Sequence, residues 1–242
     1  MAQIIPAGSS GCGQAQAGQP LGMLLIRPPG VYRPQGDTDL LVSCLHRERL
    51  DGASRVLDLG TGTGVVALAA ARSGARVTAV DLSARAVLAA WVNTRLHRTR
   101  VELCRGDLTG PVRGRRFDLV VANPPYVPVE PAEAAEAPGR PTGAALAWDA
   151  GPDGRLVLDR ICREVPRLLT ARGVLLLVQS SLAGVPQTLA ALRRAGLGAS
   201  VVARRRQAFG PVMTERAGLF ERLGLIAVGV REEELVVVRG VR

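Results

Sequence analysis

Arg55-Val-Leu-Asp58-Leu-Gly60-Thr-Gly62-Thr-Gly64-Val-Val-Ala67-Leu-Ala-Ala-Ala71 sets the architecture of this chain. Val56 to Leu59 have the length and branching of a short buried strand. Three glycines at alternate positions follow, and then an Ala/Val/Leu run of helical character. Strand, tight turn and helix N-terminus in that order open a nucleotide-binding βαβ unit. A Cβ in the turn would hold a ligand off the backbone, which gives the glycines a reason.

Outward from this unit, further strands end in chemistry. Arg76 to Val80 reads as a second strand ending at Asp81, about 20 residues past the glycines, the spacing of a carboxylate that binds ribose hydroxyls. Val101 to Cys104 reads as a third and ends at Gly106-Asp107, a second acid at the same edge. Phe117 to Ala122 reads as a fourth and meets Asn123-Pro124-Pro125-Tyr126, where two prolines force the sheet to release the chain. Asn123 offers a side-chain carbonyl, and the prolines hold the next carbonyls at nearly fixed φ. Such a corner accepts hydrogen bonds from a planar –NH₂ group while Tyr126 covers its face. An ordinary strand exit is the plain alternative, because Asn-Pro is a common turn signal. Gly62-x-Gly64-x-x-Ala67 also meets the loose dinucleotide fingerprint, so a nicotinamide-dependent enzyme has to be weighed. Against it stand Asp58 two residues before Gly60, the absence of a substrate-domain segment, and the amide corner itself.

Taken together, Asp58-x-Gly60-x-Gly62-x-Gly64, Asp81, Asp107 and Asn123-Pro124-Pro125-Tyr126 resemble the class I S-adenosylmethionine-dependent methyltransferases, and within them the HemK/PrmC type, the protein N5-glutamine methyltransferases. The likeness runs from about Met23 onward. Val31-Tyr32-Arg-Pro34-Gln-Gly-Asp37-Thr38-Asp-Leu-Leu resembles the entry segment of the compact eukaryotic-type release-factor methyltransferases (the HemK/MTQ branch). Ala147-Trp148-Asp-Ala-Gly151-Pro-Asp-Gly154-Arg-Leu-Val-Leu-Asp159-Arg160 and Leu168-Leu-Thr-Ala-Arg-Gly173 are similar to the same branch.

The resemblance implies an α/β three-layer sandwich, Rossmann-like, with a seven-stranded, mostly parallel sheet and an antiparallel last strand. It implies S-adenosyl-L-methionine as cofactor. Gly60, Gly62 and Gly64 fall at its methionine end, Asp81 at its ribose, and Asp107 with Leu108 near its adenine, while Asp58 and Leu82 are further cofactor contacts. Tyr32, Pro34 and Thr38 close over it, and Asn123 reaches it. Asn123, Pro124 and Tyr126 take the catalytic part, Pro125 and Trp148 join them in substrate binding, and no metal is called for. The implied partners are a release factor or another glutamine-containing protein and a small zinc-binding activator. Trp148, Asp149 and Arg155 read equally well as packing or capping residues.

Composition bounds the rest. A chain of 242 residues, 47% apolar, suits one α/β unit with a substantial core. Residues 1–22 read as a disordered tail and 23–242 as a single methyltransferase domain, with 23–50 the entry segment and helix and 51–242 the catalytic core. Met23 is the expected natural start. The formal charge of +10 points to acidic partners, but all 31 basic residues are arginine, which fits a GC-rich coding bias and weakens the inference. Cys12, Cys44, Cys104 and Cys162 form no close pair, and His46 and His97 lack ligand-spaced partners, so buried reduced thiols in a cytoplasmic protein are expected rather than zinc or disulfides. No apolar run reaches membrane-span length; the richest, Gly173 to Val178, reads as a strand.

Further elements follow from periodicity. Thr38 caps a helix through about Arg49, with Leu40, Leu41, Cys44 and Leu45 on one face. Ser83 caps another, in which Val87, Leu88, Trp91 and Val92 recur at helical spacing, so Trp91 is expected in the core. Val127 to Ala147 reads as a long loop beside the site. A helix is expected from about Pro152, broken at Pro166. Arg172 to Ser181 reads as a strand, Val185 to Ala195 as a helix, Ala199 to Ala208 as a strand, and Glu233 to Arg239 as a last strand, which the resemblance implies is antiparallel and inserted beside the fifth.

An amide nitrogen is a poor nucleophile, and no side chain of the proposed site has an ordinary pKa suited to removing its proton first. Catalysis then comes from placement: the Asn123 side-chain carbonyl and the Pro124 backbone carbonyl accept the two amide hydrogens, and Tyr126 packs on the amide plane. An adenine-N6 nucleic-acid methyltransferase is the second reading, since an exocyclic amine presents the same –NH₂ group. Arg113-Gly-Arg115-Arg116 and Arg204-Arg205-Arg206 would then touch phosphates. A protein-lysine or small-molecule N-methyltransferase, or a non-catalytic subunit, remain further alternatives.

Overall fold

A computed structural model describes residues 23–130 and 150–242. The expected tail 1–22, Cys12 and Trp148 lie outside the described residues. Seven strands, β1 (Arg55–Leu59), β2 (Arg76–Asp81), β3 (Val101–Arg105), β4 (Phe117–Ala122), β5 (Leu169–Ser180), β6 (Gly198–Ala208) and β7 (Glu232–Val241), form one sheet in the order β3-β2-β1-β4-β5-β7-β6. β1 to β5 are mutually parallel, and β7 enters antiparallel between β5 and β6. The expected mostly parallel sheet with an antiparallel last strand is therefore present.

The helices are α1 (Gly36–Leu45), α2 (Val65–Arg72), α3 (Ala84–Leu96), α4 (Leu156–Glu164), α5 (Val185–Arg194), α6 (Pro211–Glu215) and α7 (Ala217–Arg222). Alternation along the strands divides the core in two. Val56, Leu119, Val121, Leu176 and Val237 pack with α1 and α2, whereas Leu57, Val120, Leu175, Leu177 and Val238 pack with Leu158 and Ile161 of α4 and Leu192 of α5. Burial on both faces is why these strands are nearly continuous apolar runs. The chain starts mid-sheet, winds out to β3, then returns to β4 beside β1. Successive connections leave β1 in opposite directions there, so a crevice opens at the carboxyl ends of β1 and β4.

Several expected details differ. α1 begins at Gly36 with Gln35 in the cap position and ends at Leu45, so Thr38 lies inside the first turn and its hydroxyl is used elsewhere. In α3, Trp91 and Leu88 are 49% and 58% exposed, and the buried face is Ala86, Ala89, Ala90, Asn93 and Thr94. Small residues let α3 approach the glycine turn closely, and the large apolar ones are left outside. α4 begins at Leu156 and not near Pro152, because Gly151 and Gly154, at φ of +80° and +71°, bend residues 151–154 into a turn. A Cβ on Gly154 would run into the Tyr126 carbonyl oxygen, so this turn packs directly under the amide corner. Pro166 sits in a 3₁₀ turn, Val165–Leu168, that ends α4 and starts β5 earlier than expected, at Leu169. The connection from β6 to β7 carries α6 and α7, anchored by the buried Phe220 ring edge-on to Phe209.

Cys44 and Cys162 are buried free thiols, and Cys104 is a free thiol only partly buried. Among the described residues no helix is long and apolar enough to cross a membrane, and no cluster of His, Cys, Asp and Glu could hold a metal.

Candidate active site at the carboxyl edge of the sheet

The glycine turn hangs from the second strand: the Gly60 and Thr61 N–H groups both donate to the Val80 carbonyl, at 2.9 and 3.1 Å. A side chain at Gly64 would be strained, since its φ is +83° and its Cβ would lie 3.0 Å from the Cβ of Ala90. The glycine therefore admits α3 closely. Asn93, fully buried in α3, ties the turn to the entry segment by donating to the carbonyls of Thr63 and Ile26 while accepting from the Ile26 N–H. Asp58 accepts from Thr61 Oγ1 at 2.6 Å and from the Ala67 N–H at 3.1 Å, stapling the turn to the start of α2. Burial pushes its carboxyl up to about 7.

Asp81 accepts from the Gly62 and Ser83 N–H groups at 2.9 and 2.8 Å, and burial raises its pKa. At the end of β3, Asp107 is gripped by the Arg160 fork, Nη1 to Oδ1 at 3.0 Å and Nη2 to Oδ2 at 2.8 Å. Arg155 is buried and donates to the carbonyls of Ala183 and Gly184 and to Asp159, so it caps local structure.

The amide corner is organised by a residue to which sequence reasoning gave no role. Asp37, 3% exposed, accepts from Tyr32 Oη at 2.5 Å, Tyr126 Oη at 3.0 Å and both the N–H and Oγ1 of Thr38. An ionised carboxylate only accepts, so the Thr38 hydroxyl must point its hydrogen at Asp37 and keep a lone pair for a donor. Asn123 Nδ2 supplies that donor at 3.3 Å. The nitrogen of the Asn123 amide is thereby held toward Thr38 and its carbonyl oxygen is turned the other way. Burial, then the Asp37 charge, lift both tyrosine phenols well above their ordinary range, so both remain donors. Backbone pairs from Ala150 N–H to Val127 and from Val129 N–H to Gly151 brace the corner from behind.

These groups surround one cavity of about 440 Å³, within the roughly 300–1,000 Å³ of small-molecule sites. Tyr32, Pro34, Thr38, Asp58, Gly60, Gly62, Asp81, Leu82, Asp107, Leu108, Asn123, Pro124, Pro125 and Tyr126 all line it, as do Asp37, Thr63 and Arg160. Asp37 could have been noticed from its place beside Thr38 in the entry motif; no local signal marks Arg160.

Residues 24–135 match the methyltransferase small domain family. A Methanocaldococcus jannaschii protein assigned as a protein N5-glutamine methyltransferase is 34% identical over 81% of this chain and 95% of its own. The release factor glutamine methyltransferase of Geobacter sulfurreducens is 36% identical over 64% of this chain, which spans about half (55%) of that relative's length. Among solved structures, Mtq2 from the E. cuniculi Mtq2–Trm112 complex, responsible for methylation of the termination factor eRF1, superposes with a TM-score of 0.61 at 28% identity, covering 88% of this chain and 99% of that one. With the strand order, the glycine turn and the amide corner, these relationships show that the chain belongs to the class I S-adenosylmethionine-dependent methyltransferases of the HemK/PrmC, protein N5-glutamine methyltransferase type.

Proposed function

We propose that this protein methylates the side-chain amide nitrogen of a glutamine in a protein substrate, a release factor being the first candidate, with S-adenosylmethionine as methyl donor. The observation that carries this reading is the chain Asp37–Thr38–Asn123, which turns the Asn123 carbonyl oxygen away from Thr38 in a corner where Pro124 offers a backbone carbonyl at nearly fixed φ. Two acceptors at a rigid corner suit the two hydrogens of a carboxamide.

The cavity fits the cofactor's chemistry. Buried carboxylates at Asp58 and Asp81 favour a ligand with positive charge and hydroxyl donors, and the buried Thr63 hydroxyl has no hydrogen-bond partner among the described residues. Asp58 and the Gly60–Gly62 backbone would hold the methionine end, Asp81 the ribose, and Leu82, Asp107 and Leu108 the adenine, under Tyr32 and Pro34. When bound, S-adenosylmethionine supplies an electrophilic sulfonium methyl. The protein's part is placement: Asn123 Oδ1 and Pro124 O hold the amide hydrogens, aim the nitrogen's lone pair, and stabilise positive charge as it develops there. The Tyr126 ring covers the plane and excludes water, its hydroxyl held back by Asp37. The nitrogen's proton leaves to solvent after transfer.

Asp81→Ala is expected to weaken cofactor affinity by about 10-fold or more while the folded protein persists; calorimetric titration with S-adenosylhomocysteine checks it. Affinity should also rise with pH. Below about 7 the Asp58 carboxyl is protonated and must release its proton before it can face a cation; above that it is already ionised. Titrations between about pH 6 and 8 should show tighter binding at the alkaline end, with the slope flattened in Asp58→Asn.

The nucleic-acid reading is less well supported, since Arg115 is engaged with Glu102 and lies over the Phe117 ring, and Arg204 pairs with Glu234. For an activator subunit, the open edge at β3 next to exposed Leu88 and Trp91 is the surface such a partner would cover. Labelled-methyl transfer to release factor, set beside RNA and DNA oligomers and with the modified residue located by mass spectrometry, tests the assignment. Label in nucleic acid alone would overturn it.

A further inference from the structure

A second buried carboxylate lies behind the amide corner. Glu233, the second residue of β7, is 5% exposed, and its Oε1 accepts from Gln207 Nε2 at 3.1 Å across the β6–β7 pair. Its Oε2 has no hydrogen-bond partner among the described residues. Gln207 in turn bears on the first turn of α1, where a Cβ on Gly36 would collide with its Oε1. The two strand ends are thus packed against the turn that carries Asp37, and Glu233, Asp37, Tyr32 and Tyr126 line one narrow cleft. No cation lines that cleft, although the chain carries 31 arginines.

We infer that Glu233 is a positioning residue that keeps its proton at neutral pH, so that Asp37 alone carries the charge of the cleft and the relay to Asn123 holds its direction. The inference rests on the role proposed above for that relay. Two carboxylates in one buried cleft without a cation disfavour each other's charge, and the donors decide which one keeps it. Asp37 has four: two phenols, a backbone N–H and a hydroxyl. Glu233 is bonded by the Gln207 amide, and its second oxygen, left without a donor, costs least when uncharged. Burial raises the Glu233 carboxyl above its ordinary range and outweighs the nearby Ser180 and Gln207 side chains, and the Asp37 charge adds to the rise. The two acids therefore take opposite states, as paired carboxyls in unlike surroundings do. Loss of the Glu233 proton would set a rival acceptor beside both tyrosines and loosen the Asp37–Thr38–Asn123 relay from behind. Glutamine mimics the protonated acid, with one oxygen to accept from Gln207 and a donor in place of the O–H. Alanine leaves Gln207, and with it the first turn of α1, without that support.

Two measurements test this. An infrared difference spectrum between the wild-type protein and Glu233→Gln at pH 7 needs neither substrate nor cofactor. It is expected to show the carbonyl band of a protonated carboxyl in the wild type and its loss in the variant; loss of an ionised-carboxylate band instead overturns the inference. Turnover with release factor and S-adenosylmethionine at pH 7 is expected to fall about 10-fold in Glu233→Ala and to recover to within roughly 3-fold of wild type in Glu233→Gln. Glutamine as poor as alanine, or alanine at the wild-type rate, overturns the inference. Should the alanine variant fail to fold, the spectrum and the glutamine variant decide, and a glutamine rate below about one-tenth of wild type counts against it. A wild-type protein that transfers no methyl group to release factor brings down the acceptor assignment, while the spectrum still reads the state of Glu233, which separates the two failures.

Discussion

Asn123→Ala is expected to lower turnover by on the order of 10²-fold or more while cofactor affinity stays within a few-fold of wild type. The side chain offers no base and no nucleophile. It provides one acceptor, held in place from outside: its nitrogen donates to Thr38, and its oxygen faces the other way. An amide nitrogen gains nucleophilic character only as its lone pair turns out of conjugation, and an acceptor on each N–H fixes that turn and meets the charge as it appears. Truncation removes one of the two acceptors and leaves the backbone, the glycine turn and the acidic residues of the cavity where they were. Steady-state rates with a saturating acceptor, together with calorimetry on S-adenosylhomocysteine, separate the two quantities. Wild-type turnover in the alanine variant would take Asn123 out of the mechanism.

Asp37→Asn should cost turnover on the order of 10-fold to 10²-fold although Asp37 reaches Asn123 only through Thr38. Four groups donate to this one buried carboxylate: two phenols, a backbone N–H and a hydroxyl. An asparagine there has one acceptor oxygen and two donor hydrogens. A donor facing Thr38 would reverse the hydroxyl, and the reversed hydroxyl would no longer accept from Asn123, so the catalytic amide would lose its fixed orientation. Two buried phenols would compete for one oxygen, with a stability cost of about 1–3 kcal/mol for the group left unpaired. Thr38→Val should share the loss in rate with a smaller loss in stability, because it removes the middle of the relay and spares the tyrosines. Thermal unfolding together with turnover in the two variants checks this; Asp37→Asn at wild-type rate would show that Asn123 holds its orientation unaided.

The legible part of this protein was the part in which chemistry is written locally. Glycine at alternate positions, a carboxylate at the end of each of two strands, and Asn-Pro-Pro-Tyr at the end of a third are patterns of neighbours along the chain, and the sheet brought them to one cavity. The apolar runs also marked the strands, and the family resemblance supplied the antiparallel direction of the last one. The misreadings share one cause. Trp91 was expected inside because large apolar residues recur at helical spacing, yet Ala86, Ala89 and Ala90 face the protein because Gly64 demands a close neighbour. Gly64 admits a packed helix, and the Thr38 hydroxyl bonds Asp37 and Asn123 in place of capping a helix, arrangements that depend on Ala90 and Asn123 far away in the chain.

Sequence by itself determined the Rossmann-like sheet and the family and pointed to the candidate corner, since periodicity, strand ends and turn residues act over a few positions. Tertiary structure alone decided which way the corner faces and how its edges are held. Asp37 meets Tyr126 across 89 positions and Arg160 meets Asp107 across 53. A hydrogen bond's direction depends on which donor arrives from another element, and nothing in the neighbouring residues of either partner records that arrival.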